Sequence, residues 1–269
     1  MRLHISTCPN DTFMFDALLH GRVDTEGLAF DLHLADIEEL NALALNGVAD
    51  VTKCSYAVVP EIAAEYQILN SGSALGRGNG PLLVAREPLD KTHLQGVTVA
   101  IPGERTTANL LLESLFPEIG SKCEMLFSDI IPAVVDGAVD AGVLIHEGRF
   151  VYREKGLSLV ADLGMEWESR YGLPLPLGAI AVRRTLPDEV KRRVGRVLRR
   201  SVEYAFAHPD ASRDFVKRHA QELDDSVIRQ HIDLFVNPFS VDLGDEGRSA
   251  VVRLLAGKLP EKQQKELFV

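Results

Sequence analysis

Between Leu3 and Ala64 the chain passes three times from a short apolar run into a segment of helical period. This repeat constrains the fold more than any other feature. Leu3 to Ser6, Ala29 to Leu34 and Asp50 to Cys54 read as strands. Asp11 to His20, Ile37 to Asn46 and Ala57 to Ala64 read as helices. Asn10 or Asp11 is placed to cap the first, Gly21 and Gly47 to end the first two, and Pro60 suits a first helical turn. A βαβαβα order implies an α/β fold with a mostly parallel sheet covered by helices.

The glycine-rich stretch Gly72-Ser-Ala-Leu-Gly-Arg-Gly-Asn-Gly80 interrupts this pattern. It precedes the strand Pro81 to Ala85 rather than a helix, so it reads as a tight interdomain turn and not as a phosphate loop. A second βα block follows: strands from Val97 to Ile101, Cys123 to Phe127 and Ala141 to His146, with helices from Thr106 to Leu115 and Ile130 to Ala138. After Leu173-Pro-Leu-Pro-Leu-Gly178 and a strand from Ala179 to Val182 the chain turns almost wholly helical, over Asp188 to Ala207, Asp210 to Ala220, Ser226 to Phe235 and Glu246 to Lys258. The expected organisation is a discontinuous first domain, residues 1–85 and 179–269, with an inserted domain, residues 86–178. A ligand cleft is expected where the C-terminal strand ends of both sheets meet.

Composition narrows the partners. With 39 acidic and 29 basic residues the net charge is −10, which argues against nucleic acid. The densest basic run, Lys191-Arg192-Arg193 with Arg196, Arg199 and Arg200, is threaded by Val190, Val194, Val197, Leu198 and Val202 at helical spacing, so it reads as a solvated helix face. Cys8, Cys54 and Cys123 form no CxxC pair and read as reduced thiols. No apolar leader follows Met1 and no run is long enough to span a bilayer; a cytoplasmic protein without membrane insertion is expected. GxGxxG, Walker A, HExxH and GxSxG patterns are absent from the sequence, and neither a cofactor nor a metal is expected. Oligomeric state is not legible.

Four segments follow strands. Ser6-Thr-Cys-Pro-Asn-Asp-Thr12, Lys53-Cys-Ser-Tyr56 and Gly103-Glu-Arg-Thr-Thr107 each bring hydroxyls and backbone N–H groups to a helix start, where carboxylates bind. Helix capping alone also accounts for such residues. Asn10 is taken as a ligand contact from the first segment. The fourth segment, Val143-Leu-Ile-His-Glu147, ends a strand in His146, whose imidazole has an ordinary pKa of about 6.5 and so suits a base near neutrality. A structural histidine bonded to a loop carbonyl is the competing reading. Glu147 is placed either to orient the imidazole or to face solvent.

Six pieces together carry a resemblance: Ser6-x-Cys-Pro-Asn-Asp-Thr-Phe, Thr52-Lys-x-Ser-Tyr, Ala74-Leu-Gly-Arg-Gly-x-Gly-Pro, Gly103-x-x-Thr-Thr, Ile145-His-Glu-x-Arg and Gly172-Leu-Pro-Leu-Pro-Leu-Gly. With Asn237-Pro-Phe-Ser they run over nearly the whole chain, which resembles the 1,4-dihydroxy-6-naphthoate synthases of the futalosine route to menaquinone. The resemblance implies a two-domain periplasmic-binding-protein-like fold and a small aromatic carboxylate as substrate. It implies a lyase that turns cyclic dehypoxanthine futalosine into 1,4-dihydroxy-6-naphthoate and dihydroxyacetone. It also implies that His146 is the proton acceptor, and that Lys53, Cys54, Ser55, Thr106 and Thr107 bind substrate. A chemical role for the Cys54 thiol is not implied, since the family varies there. The alternatives are chorismate dehydratase, a sister family that shares the fold but lacks the His-Glu pattern, and a non-catalytic carboxylate-binding protein.

Overall fold

A computed structural model describes residues 1–220 and 224–269. The strands are β1 (Arg2–Ser6), β2 (Asp31–Ala35), β3 (Val51–Ser55), β4 (Tyr66–Ile68), β5 (Ala74–Gly76), β6 (Leu82–Ala85), β7 (Thr98–Ile101), β8 (Ser121–Glu124), β9 (Ala141–Leu144), β10 (Ser158–Asp162) and β11 (Leu175–Arg183). The α-helices are α1 (Pro9–Leu19), α2 (Ile37–Leu45), α3 (Val59–Ile62), α4 (Thr107–Leu115), α5 (Phe127–Val135), α6 (Gly148–Val151), α7 (Leu163–Tyr171), α8 (Asp188–Ala207), α9 (Arg213–His219), α10 (Asp225–Phe235), α11 (Pro238–Val241), α12 (Gly244–Leu254) and α13 (Glu261–Lys265).

Two compact units form, Met1–Gly76 with Pro176–Val269, and Arg77–Leu175. In the first, the sheet order is β2-β1-β3-β11-β4, with β5 also on β11. β1 pairs in parallel with β2 and β3, as the βαβαβ pattern requires, whereas β11 runs antiparallel to β3 and β4. The core joins Leu3 and Ile5 of β1, Phe13, Met14 and Leu18 of α1, and Val194, Val197, Leu198 and Val202 of α8. Ser201 stitches the two helices by donating to Met14 O at 2.6 Å and accepting from Leu18 N at 3.1 Å. The arginines of α8 face outward, as the apolar spacing demands: Arg193, Arg196 and Arg200 all pair with Glu26. The guanidinium groups of Arg196 and Arg200 hold that carboxyl down to about 2.

In the second unit the order is β10-β6-β9-β7-β8. β7 pairs in parallel with β8 and β9, and β6 antiparallel with β9 and β10. β6 therefore falls in this unit, not in the first as a boundary at 85/86 supposes. Its partners β9 and β10 lie far along the chain, so apolar pattern could not assign it. A Cβ at Gly142 would sit 2.4 Å from Ile130 Cγ2, so α5 packs directly on β9 and only glycine fits there.

Other differences have local causes. α1 begins at Pro9, with extended Cys8 before it, so neither Asn10 nor Asp11 is its cap. Proline's fixed φ starts the helix without a side-chain bond. β8 is an exposed edge strand that begins two residues and ends three residues earlier than the apolar pattern suggests, because it buries no face. β9 ends at Leu144, not at His146. No helix among the described residues is long and apolar enough to cross a membrane.

Candidate active site

In the first unit β3 lies between β1 and β11, and Ser55 is in register with Gly178. Strand alternation turns Lys53 and Ser55 to one face and Cys54 to the other. The Lys53 ammonium is buried and donates to Asp11 Oδ1 at 2.7 Å. Its stem runs across Gly178, where a Cβ would lie 2.7 Å from Lys53 Cε.

Asp11, fully buried, is the hub. Its Oδ1 also accepts from Asn10 Nδ2 at 3.0 Å, and its Oδ2 accepts from Ser6 N at 3.1 Å and Ser6 Oγ at 2.6 Å. Asn10 is committed at both ends, because its Oδ1 accepts from His231 Nε2 at 3.0 Å. That bond requires the proton on Nε2 of the buried His231 ring. Ser55 and Asn41 bond reciprocally: the Ser55 N–H donates to Asn41 Oδ1 at 2.8 Å, and Ser55 Oγ accepts from Asn41 Nδ2 at 3.1 Å. The Cys54 thiol is fully buried, and burial pushes it up to about 12, so it stays neutral.

In the second unit Thr106 is the N-cap of α4. Its Oγ1 accepts from Asn109 N at 3.2 Å and donates to Gly103 O at 2.8 Å. Thr107 opens the helix, whose N-terminus carries a partial positive charge suited to a carboxylate. His146 stands two residues beyond β9, half-buried, with its ring edge-on to Phe127 at 4.8 Å between centroids. Its φ is 52°, a left-handed backbone uncommon for residues other than glycine, though His, like Asn and Asp, adopts it more than most. Such strain clusters at functional sites.

The structure thus brings Lys53 and Asn10 together through Asp11 in the first unit, and Thr106 and Thr107 together in the second. The family model described as menaquinone biosynthesis matches residues 1–257. The chain belongs to that family. It is 50% identical over 256 residues to a protein of Thermus thermophilus named 1,4-dihydroxy-6-naphthoate synthase, covering 95% of this chain and 93% of that one. A Streptomyces coelicolor protein of the same name is 46% identical over 260 residues, 95% of this chain and 91% of its own. The resemblance read from the sequence motifs therefore stands. A crystal structure of an Archaeoglobus fulgidus protein superposes with a TM-score of 0.89 at 36% identity, over 94% of each chain. The alkanesulfonate-binding protein of Xanthomonas axonopodis pv. citri superposes with a TM-score of 0.72 at 13% identity, over 100% of this chain and 97% of that one. This family member has a periplasmic-binding-protein-like fold.

Sequence reasoning gives Asp11 no role of its own beyond a cap and a place in the first segment, and does not single out Asn41 or His231. Pro9 fixes the helix start and leaves Asp11 inside the first turn, so its carboxylate was available for another partner. Asn41 and His231 carried no such signal, since each meets its partner through tertiary packing.

Proposed function

We propose that the protein is a carbon–carbon lyase of menaquinone biosynthesis that converts cyclic dehypoxanthine futalosine to 1,4-dihydroxy-6-naphthoate and dihydroxyacetone, with His146 as general base. The observation that carries this reading is near-half identity, over almost the full chain, to two proteins named for that product. The left-handed backbone at His146 is compatible with the base assignment, because uncommon backbone conformations cluster at functional sites. Neutral imidazole removes a substrate proton, the carbon–carbon bond breaks, and aromatisation of the naphthoate drives the step. Lys53, Cys54, Ser55, Thr106, Thr107 and Asn10 are the proposed binding set. Cys54 takes part through its backbone, since its thiol is buried. Asn10 acts by holding Asp11, which in turn holds the Lys53 ammonium. The substrate carboxylate suits the start of α4.

Incubating purified protein with the cyclic substrate and following the naphthoate by chromatography tests the reading. Naphthoate and dihydroxyacetone in equal amounts are expected. Dehydration of chorismate instead would point to the sister activity, and binding without turnover to a carboxylate-binding protein.

A further inference from the structure

We propose that Arg149 is a positioning residue for His146, clamping the turn that carries the imidazole onto the backbone of Gly78 and Gly80. The proposal rests on the reading of His146 as base and adds the residue that holds it.

A left-handed non-glycine residue is strained and persists where its surroundings fix it. On one side of His146 the fixing element is plain: β9 is paired on both edges, to β6 and to β7. On the other side, where the Phe127 ring also meets the imidazole, stands α6, a single turn too short to be stable by itself. Arg149 lies in that turn, three residues past His146. One of its guanidinium nitrogens donates to Gly80 O, and the other to Gly78 O at 2.8 Å. Two donors on one rigid plane fix orientation as well as distance.

The receiving backbone is itself held by α7. A Cβ at Gly80 would fall 2.2 Å from Gly164 Cα, so the two backbones are in direct contact at the start of α7. Gly78 N donates to Glu168 Oε1 at 2.7 Å, one face of the same helix. Asp162 caps α7 by accepting from Gly164 N at 2.9 Å and Met165 N at 3.0 Å. The glycines that resemble a phosphate loop in the sequence thus serve a different end: the carbonyls of Gly78 and Gly80 receive an arginine, and the bareness of Gly80 lets α7 approach. The chain of contacts runs from α7 through Gly78 and Gly80 to Arg149, and from Arg149 to the turn of His146.

The test uses Arg149→Lys and Arg149→Met in the full chain, each also combined with His146→Ala. Arg149→Lys keeps the charge and cannot make the two-pronged contact. It should lower kcat about 10- to 100-fold, the effect of displacing a reacting group by an ångström, with KM within about threefold. In the His146→Ala background the same substitution should cost less than about threefold, because there is no imidazole left to misplace. If Arg149→Met does not fold, Arg149→Lys carries the test by itself. An Arg149→Lys enzyme with kcat within twofold of the parent overturns the proposal. So does an equal loss in both backgrounds, which would make the effect independent of His146. Normal turnover in His146→Ala alone would remove the base reading and this proposal together. A dead His146→Ala beside an intact Arg149→Lys would remove the positioning role only.

Discussion

The hub around Asp11 in the first unit and the turn at His146 in the second hold candidate site residues by opposite means. Both carboxylate oxygens of Asp11 are engaged, by Ser6, Asn10 and Lys53, and the whole cluster is buried. His146 is half-buried, strained in its backbone, and fixed through the elements before and after it. A network of the first kind couples binding to folding: remove one member and a buried charge loses its partner. A strained turn of the second kind can lose its side chain at little cost to the fold, and loses mainly rate. The two regions should therefore respond differently to equally small substitutions.

The sharpest contrast is at His146. His146→Ala should lower kcat by about 10²–10⁴-fold, the usual contribution of a general base, with substrate still bound and the melting temperature little changed. In the parent, kcat/KM should fall as pH drops through the free enzyme's imidazole titration, since the cation cannot accept a proton, and this limb should vanish in the variant. A folded variant with near-normal kcat leaves the structural-histidine reading in place. Asp11→Ala should show the reverse balance. Stranding the buried Lys53 ammonium costs about 3–5 kcal/mol, or roughly 6–20 °C in melting temperature for a unit of this size. Thermal unfolding checks it, and an unshifted melting temperature would break the comparison at its first-unit end.

Thr107→Val is a smaller and more local test. Valine keeps the branched shape and removes the hydroxyl. Loss of a hydrogen bond to a charged group costs about 1.5–3 kcal/mol, so kcat/KM should fall roughly ten- to a hundred-fold with the fold intact. Unchanged kinetics would take Thr107 out of the binding set, and would leave capping of α4 by its neighbour Thr106 as the sole role of the pair.

What was legible in the sequence follows from what is local. The first three βα units, the start of α8 at Asp188 and the cap Thr106 depend on apolar period and turn chemistry, and all are read within a few residues. β4, β5 and β10 were passed over. Two are three residues long, and the third is an edge strand. Their existence depends on partners supplied by distant chain. The same division holds at the site. Lys53 and Ser55 lie in the middle and at the end of β3, and His146 two residues past β9, close enough to strand ends for position to single them out. The bonds from Asp11 to Lys53, and from Asn10 to His231, span 42 and 221 residues and leave no periodic trace. Arg149 was visible as part of a motif, but its purpose depends on carbonyls 69 and 71 residues away.

The smallest expected effect concerns Cys54, and it separates the two faces of β3. Lys53 and Ser55 point into the polar network, whereas Cys54 points into the core and no polar partner is needed there. Burial raises its thiol to about 12, so at pH 8 it is almost wholly protonated and lacks the thiolate, the form that reacts with alkylating reagents. In the folded protein Cys123, which is exposed, should react first, and Cys54 only on unfolding. Mass spectrometry of iodoacetamide-treated protein, before and after denaturant, reads both. Cys54→Ala should leave kcat and KM within about twofold, and cost about 1 kcal/mol of stability for the lost buried sulfur. Substrate protection of Cys54 in the native protein, or a tenfold loss of turnover in Cys54→Ala, would show that the thiol faces the ligand and that the alternation along β3 is broken at that residue.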